Sequence, residues 1–209
     1  PFWKRPLLAL RRWQLAQLEQ TVFTKPTNNI PFAIELVSQA LQDYLHTTYH
    51  LNKKLCIPAL FDTPKPVTKE EKELYNNTTR TTLHIPSDAI VYAYNGSLKP
   101  WQCPLETITA FKTAWRQDTR SVFLALTQET EPMKKLLQTA DLPESAYRVT
   151  HVSQQVVMHY LCAAQYGFLL REEHVINWVS RPTKLLEYQA AGITVIHNNT
   201  IALLCAPRT

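Results

Sequence analysis

One segment near the end of the chain carries side chains that could bind a phosphorylated ligand. It covers residues 167–197 and has the pattern of a strand, a charged loop, a helix beginning near Pro182 and a second strand. A helix N-terminus presents free N–H groups and the positive end of the helix dipole, which suits a diphosphate. Arg171, Arg181 and Lys184 would add positive charge there, so the segment predicts an anion site.

A carboxylate lies one helical turn below this end. Thr183 and Glu187 are four residues apart and share a helix face. A carboxylate in that position can accept hydrogen bonds from both hydroxyls of a ribose. Periodicity alone also allows the alternatives, in which Glu187 is a solvated helix glutamate and Arg171 and Lys184 are surface charges.

The elements that would position these side chains alternate along the second half of the chain. Strands are predicted over Ile90–Tyr94, Ser121–Thr127, Tyr147–Thr150, Phe168–Leu170 and Thr194–Ile196. Helices are predicted over Pro104–Arg116, Glu131–Thr139, Gln154–Ala164 and Pro182–Ala191, with Ser180 or Arg181 as the cap of the last. This alternation predicts an α/β fold, a Rossmann-like parallel sheet flanked by helices, with ligands at the carboxyl ends of its strands.

The chain has 3 glycines, and each falls at a predicted junction of this layer. Gly96 follows a strand, Gly167 precedes one, and Gly192 fits the end of a helix with positive φ. So few glycines leave no G-x-G-x-x-G and no G-x-x-x-x-G-K-[ST]. The sequence therefore excludes the dinucleotide fingerprint and the P-loop.

The first part of the chain has shorter elements. Residues 1–20 have the spacing of an amphipathic helix, which would either pack on its own protein or lie on an anionic membrane surface. A strand over Phe32–Val37, a helix over Gln39–His50 capped by Ser38 and a strand over Lys54–Pro58 follow.

A composition shift after these elements sets the predicted domain organisation. Pro64, Pro66 and a Lys/Glu cluster are typical of a linker or a short surface helix. We expect residues 1–62 to be the final elements of an N-terminal Rossmann-like domain, 63–85 a linker, and 86–209 an incomplete C-terminal domain.

Composition narrows the function classes. With 45% hydrophobic and 19% charged residues the chain is typical of a globular protein, and no apolar run reaches the length of a membrane span. The net charge of +5 suits an anionic partner, but no nucleic-acid motif accompanies it. The four scattered cysteines predict core thiols rather than a zinc site, and His151 and His159 predict structural roles.

Several motifs resemble the retaining GT-B glycosyltransferases of family four. Residues 182–188 (PTKLLEY), with Ala191-Gly192 and a strand after them, resemble the family's donor-site helix. Residues 170–172 and 175–177 are similar to a subgroup of bacterial surface-polysaccharide enzymes. The turn at residues 95–98, Trp101-Gln102 and the run at residues 35–45 resemble further segments of that family in the same order.

This resemblance implies that the chain binds a nucleotide diphosphate-sugar and takes part in metal-independent retaining transfer to a polysaccharide or glycolipid, without a cofactor. Glu187 would hold the ribose, and Thr183 and Lys184 would meet the diphosphate through their backbone. Gly96 and Ser97 would let the backbone approach it. The family's glutamate eight positions before Glu187 is Val179 here.

Two usual cations of the family correspond to Ser97 and Gln102, which leaves Lys99 and Arg171 as the candidate phosphate cations. No catalytic residue is assigned. The expected partners are the donor and a glycan or lipid-linked acceptor, in the cytoplasm, with residues 1–20 as a candidate contact with the inner face of the membrane. The alternatives are a sugar-nucleotide epimerase of the same architecture and a non-catalytic nucleotide-binding or scaffold remnant.

Overall fold

The computed structural model describes residue Gln17 and residues 33–60 and 62–205. The helix predicted over residues 1–20 lies outside the described residues, apart from Gln17. The chain divides into two compact units, residues 1–61 and residues 62–209.

The first unit contains a pair of parallel strands, β1 (Ile34–Leu36) and β2 (Cys56–Pro58), joined through helix α1 (Gln39–Tyr49). The predicted cap is confirmed, since the Ser38 hydroxyl accepts a hydrogen bond of 3.0 Å from the Leu41 amide. The strand predicted from Lys54 begins two residues later, because residues 53–55 form a turn of 3₁₀ helix. The buried core of the described part of this unit comprises Leu36, Leu45 and Leu51.

The second unit is built on a five-stranded parallel sheet of order β5-β4-β3-β6-β7. The predicted Rossmann-like α/β layer is therefore confirmed. Its strands are β3 (Ile90–Asn95), β4 (Ser121–Leu126), β5 (Tyr147–Thr150), β6 (Tyr166–Leu169) and β7 (Thr194–His197).

Helices cover both faces of this sheet. They are α2 (Lys69–Thr82), α3 (Pro104–Gln117), α4 (Thr130–Thr139), α5 (Val157–Leu161), α6 (Val175–Trp178) and α7 (Thr183–Ala190). Side chains alternate across each strand, so Leu124 belongs to the core cluster that contains Leu185 and Tyr188, whereas Phe123 belongs to the cluster that contains Phe111. All six residues of β4 are buried, as expected for the interior of a sheet covered on both faces.

The segment predicted as a linker or a short surface helix contains a helix. Residues 63–85 contain α2, which begins with a capping box between Thr68 and Glu71. The Arg80 side chain near its end is buried and donates to the carbonyls of Ala89 and Ala163. The charged composition reflects the solvent face of a helix that belongs to the second unit.

Two connecting segments of the second unit differ from the sequence prediction. The helix predicted over Gln154–Ala164 spans only α5, because residues 154–156 form a turn with no side-chain cap and the β-branched Val156 and Val157 disfavour an earlier start. The single turn α6 was not predicted from the sequence; His174 caps it by accepting a hydrogen bond of 3.1 Å from the Ile176 amide.

The end of α7 follows the prediction. Gly192 has a φ of +62°, and its amide donates to the Gln189 carbonyl (3.1 Å), while the Ile193 amide donates to the Tyr188 carbonyl (2.9 Å). This is the Schellman arrangement, in which glycine adopts the left-handed conformation at no steric cost. It turns the chain directly into β7.

Within the described part of the chain, no helix is long and apolar enough to cross a membrane. All four cysteines are free thiols; Cys103 and Cys162 are buried and the other two are half-buried.

Candidate functional site

The strand order creates a crevice at one point of the sheet. From β3 the chain proceeds outward to β4 and β5, then returns to the other side of β3 to form β6 and β7. Loops after β3 and β6 therefore leave in opposite directions, and open α/β sheets bind ligands outside the carboxyl ends of such strands. Asn95 ends β3, and Arg171 lies two residues after the end of β6.

The turn after β3 requires glycine. Gly96 has a φ of +154°, and a Cβ atom there would collide with the Lys184 ammonium and the Gln102 side chain. Its amide donates to the Leu126 carbonyl (3.0 Å), which extends the pairing of β3 with β4. The backbone and the Lys184 head group thus approach each other closely, as a glycine at a phosphate-binding turn permits.

Lys184 extends its ammonium from the first turn of α7 into this crevice. Its Nζ donates to Gln102 Oε1 and lies 5.6 Å from the centroid of the Tyr94 ring. Burial lowers the pKa of Lys184 to about 7; nearby Arg171 lowers it further, whereas Glu187 opposes the shift. No carboxylate within the described residues forms an ion pair with Lys184.

Arg171 supplies a second cation, which is buried. Only 8% of the residue is exposed, and its guanidinium donates to the Leu170 carbonyl (2.9 Å). Its backbone is held by Asn198, whose side chain bonds both the Arg171 amide (3.1 Å) and carbonyl (2.7 Å). Burial lowers the pKa of Arg171, and in the described part of the chain no carboxylate pairs with it.

Arg171 is buried and Lys184 is half-buried, and neither has an acidic partner among the described residues. Each ammonium or guanidinium loses hydration on burial, and an anionic ligand would restore the lost interaction. The amides of Thr183 and Lys184 open α7 and add the N-terminal end of a helix to the same crevice.

The start of α7 differs in detail from the prediction. Pro182 itself is the N-cap, and no side chain caps the helix. Ser180, one of the two predicted caps, donates instead to the Asn177 carbonyl (2.8 Å). Since no side chain takes the first-turn amides, they are available to a ligand.

Glu187 is buried beneath this crevice rather than solvated, with 5% of the residue exposed. Its Oε2 accepts from Asn95 Nδ2 (2.7 Å) and its Oε1 from Gln154 Nε2 (2.6 Å). The next residue, Tyr188, is fully buried; its hydroxyl accepts from the Asn95 amide (3.3 Å) and donates to the Phe168 carbonyl (3.3 Å). These contacts fix α7 over the ends of β3 and β6.

Two cavities lie at this end of the sheet. One of about 550 Å³ is lined by the loops after β3, β4 and β5, including Gly96, Ser97, Glu129 and Gln154. The other, of about 590 Å³, is lined by the loop from β6 to α7, including Arg171, together with Trp101.

The structure brings together most of the site residues predicted from the sequence. Gly96, Ser97, Lys184 and Glu187 are connected through shared contacts with Gln102 and Asn95, and Arg171 acts on Lys184 electrostatically. Thr183 is exposed at the helix start. Lys99 is also exposed, and its side chain forms no hydrogen bond or ion pair with the described residues, so it is not part of this network.

Sequence reasoning did not single out Asn95, Gln154 and Asn198 as site residues. Asn95 directly precedes the glycine turn, which is the signal that could have identified it. Gln154 and Asn198 carry no such signal, since each reaches its partner only through the tertiary fold.

The other residues considered from the sequence have simpler surroundings. His159 stacks on Tyr75 with 3.9 Å between ring centroids, and His151 is exposed on the rim of the 550 Å³ cavity. Val179 is buried. Across the described ranges, no three His, Cys, Asp or Glu side chains are grouped as a metal site.

Solved glycosyltransferase structures have a fold similar to that of this chain. WaaG, a glycosyltransferase involved in lipopolysaccharide biosynthesis, superposes with a TM-score of 0.67 at 13% identity over 98% of this chain and 53% of its own. The chain has the Rossmann-like fold of GT-B glycosyltransferases. A glycosyltransferase from Rickettsia africae ESF-5 gives a TM-score of 0.62 at 13% identity, over 85% of this chain and 49% of its own.

A third structure, Anabaena Alr3699/HepE in complex with UDP and glucose, gives a TM-score of 0.60 at 10% identity, over 82% of this chain and 45% of its own. The chain thus spans about half the length of these structures. No family model and no curated protein matches the sequence.

Proposed function

We propose that the chain is the donor-binding part of a retaining GT-B glycosyltransferase similar to family four. One observation carries this proposal: Arg171 is buried and Lys184 half-buried, both without an acidic partner among the described residues, beside the glycine turn at the switch point of the sheet. A diphosphate is the group that such an arrangement suits.

In this proposal, different parts of a nucleotide diphosphate-sugar contact different residues of the site. Lys184, Arg171 and the first-turn amides of α7 would hold the diphosphate, with Gly96 and Ser97 allowing its approach. Glu187 would bind the ribose hydroxyls, and the 550 Å³ cavity after β4 and β5 has room for the base. The two side-chain cations would offset the diphosphate charge, and transfer would then need no metal ion or cofactor.

Transfer itself would require more than this chain. The structures it resembles are about twice as long, and residues 1–62 would be the last elements of an N-terminal domain that binds the acceptor. The WaaG likeness favours a glycan or lipid-linked acceptor in bacterial surface-polysaccharide assembly. We propose the cytoplasm as the site of this reaction, with residues 1–20 as a candidate contact with the inner face of the membrane.

Nucleotide binding tests the proposal directly. The purified chain would be titrated with UDP, GDP, ADP and CDP by calorimetry and by thermal shift, since a ligand of the folded state must raise the melting temperature. We expect one nucleotide to bind, and we expect Arg171→Gln and Glu187→Ala to weaken it at least tenfold.

Arg116→Gln is the matched control, because Arg116 is an exposed residue near the end of α3. Failure of all four nucleotides to bind the folded native chain would contradict the proposal. Equal losses in Arg171→Gln and Arg116→Gln would show that net charge, rather than the site, attracts the ligand.

A further inference from the structure

The carboxylate of Glu187 is covered by two amide groups. Both of these, from Asn95 and Gln154, line the 550 Å³ cavity, whereas only 5% of Glu187 is exposed. A ligand in this cavity would therefore meet the two amides before it meets the carboxylate. Contact between a ribose and Glu187 requires one amide to move.

The two amides differ in how firmly they are held. Asn95 ends the central strand β3, is half-buried, and also donates its backbone amide to the Tyr188 hydroxyl. Gln154 lies in the exposed turn between β5 and α5, and within the described residues its side chain makes only the 2.6 Å hydrogen bond to Glu187. Gln154 is therefore the amide that can leave at low cost.

We propose that Gln154 is a displaceable cover on Glu187, which a ribose diol must replace in order to bind. The inference rests on the proposed function and adds a specificity-determining residue to the same site. Because a buried carboxylate is costly without a donor, the Gln154 amide satisfies Oε1 until a ligand hydroxyl takes its place.

This exchange has two consequences for affinity. A nucleotide with ribose hydroxyls gains a hydrogen bond to Glu187 but must break the one from Gln154, so the native residue lowers its affinity. A nucleotide without the 2′ and 3′ hydroxyls has nothing to offer Oε1 and leaves Gln154 in place. Gln154 thus reduces the affinity for ribonucleotides relative to their dideoxy analogues.

The test compares Gln154→Ala with the native chain by calorimetry. The probes are UDP, GDP, ADP and CDP and the 2′,3′-dideoxy analogue of whichever binds. We expect Gln154→Ala to bind the ribonucleotide about three- to tenfold more tightly, as expected when one competing hydrogen bond to a charged group is removed. Affinity for the dideoxy analogue should stay within about twofold.

Gln155→Ala is the matched control, because Gln155 is the adjacent exposed residue of the same turn and makes no side-chain hydrogen bond with the described residues. Gln154→Asn, whose shorter side chain withdraws the amide, should behave like Gln154→Ala. Weaker ribonucleotide binding in Gln154→Ala would overturn the inference by making Gln154 a ligand contact, and so would an unchanged ratio between the two nucleotides. If no nucleotide binds the native chain or any variant, the proposed function fails and this inference with it.

Discussion

The two ends of the parallel sheet differ in how many hydrogen-bond acceptors surround their buried and half-buried cations. At the amino end, Arg80 donates from all three of its guanidinium nitrogens. Its acceptors are the Asn76 side chain and the carbonyls of Pro86, Ser87, Ala89 and Ala163. Arg148 similarly binds the Leu83 and His84 carbonyls at 2.7 Å each.

At the carboxyl end, Arg171 donates to one carbonyl and Lys184 to one side-chain oxygen. Each end has one buried and one half-buried cation, yet only those at the amino end donate to several acceptors. Arg80 and Arg148 therefore stabilise the fold. Arg171 and Lys184 still have N–H donors that are free to bind an anion. Cations of the same kind are structural or ligand-binding according to what surrounds their head groups.

Removing Arg80 should have the largest effect on stability. Arg80→Ala removes the donor to the buried carbonyls of Ala89 and Ala163, so we expect the free energy of unfolding to fall by about 3 kcal/mol. Urea denaturation measures this loss, with exposed Arg116→Ala as the control. Equal urea midpoints for Arg80→Ala and Arg116→Ala would contradict the structural role of Arg80.

Removing Lys184 should act in the opposite direction on stability and strongly on binding. Lys184→Met replaces a desolvated ammonium with an apolar side chain of similar length, so we expect the free energy of unfolding to be unchanged or higher. Nucleotide affinity should fall by about tenfold or more. Lys135→Met, at an exposed position on α4, is the control for both measurements.

The effect of Lys184 on the free energy of unfolding should depend on pH. The pKa of Lys184 is lowered to about 7, so above pH 7 the folded chain releases a proton that the unfolded chain keeps. The destabilisation caused by Lys184 is therefore full below pH 7 and declines as pH rises.

The same proton controls the charge offered to a diphosphate. We expect the affinity ratio between the native chain and Lys184→Met to fall several-fold between pH 6 and pH 9, because the ammonium that binds the anion is lost. Calorimetry at both pH values checks this, and the variant corrects for titration of the nucleotide itself. A ratio that is constant with pH would contradict the assigned role of Lys184.

The smallest effect is expected at Lys99. This residue is exposed beside the glycine turn, so Lys99→Gln should change nucleotide affinity by less than about twofold, as solvent screens exposed charges. A loss comparable to that of Arg171→Gln would show that the loop after β3 closes over the ligand.

Local patterns in the sequence were sufficient to predict the layered fold. Alternating apolar strands and helices predict a parallel sheet, and Gly192 predicts the end of α7, because backbone conformation and burial depend on neighbouring residues. The turn at residues 154–156 and the single-turn helix α6 escaped prediction, since neither is long enough to show a period. The bounds of α2 could not be predicted for a different reason, because most of its residues face solvent and show little apolar periodicity.

The sequence by itself also determined which segment would bear the candidate site, through the helix start after Arg171 and the carboxylate of Glu187. Only the tertiary structure decided which charges are buried together and which partners they have. Asn95 and Glu187 are 92 residues apart, and Gln102 and Lys184 are 82 apart. Crossovers in a parallel sheet bring such residues to the same edge, and periodicity reports which face is buried but not which distant side chain meets it.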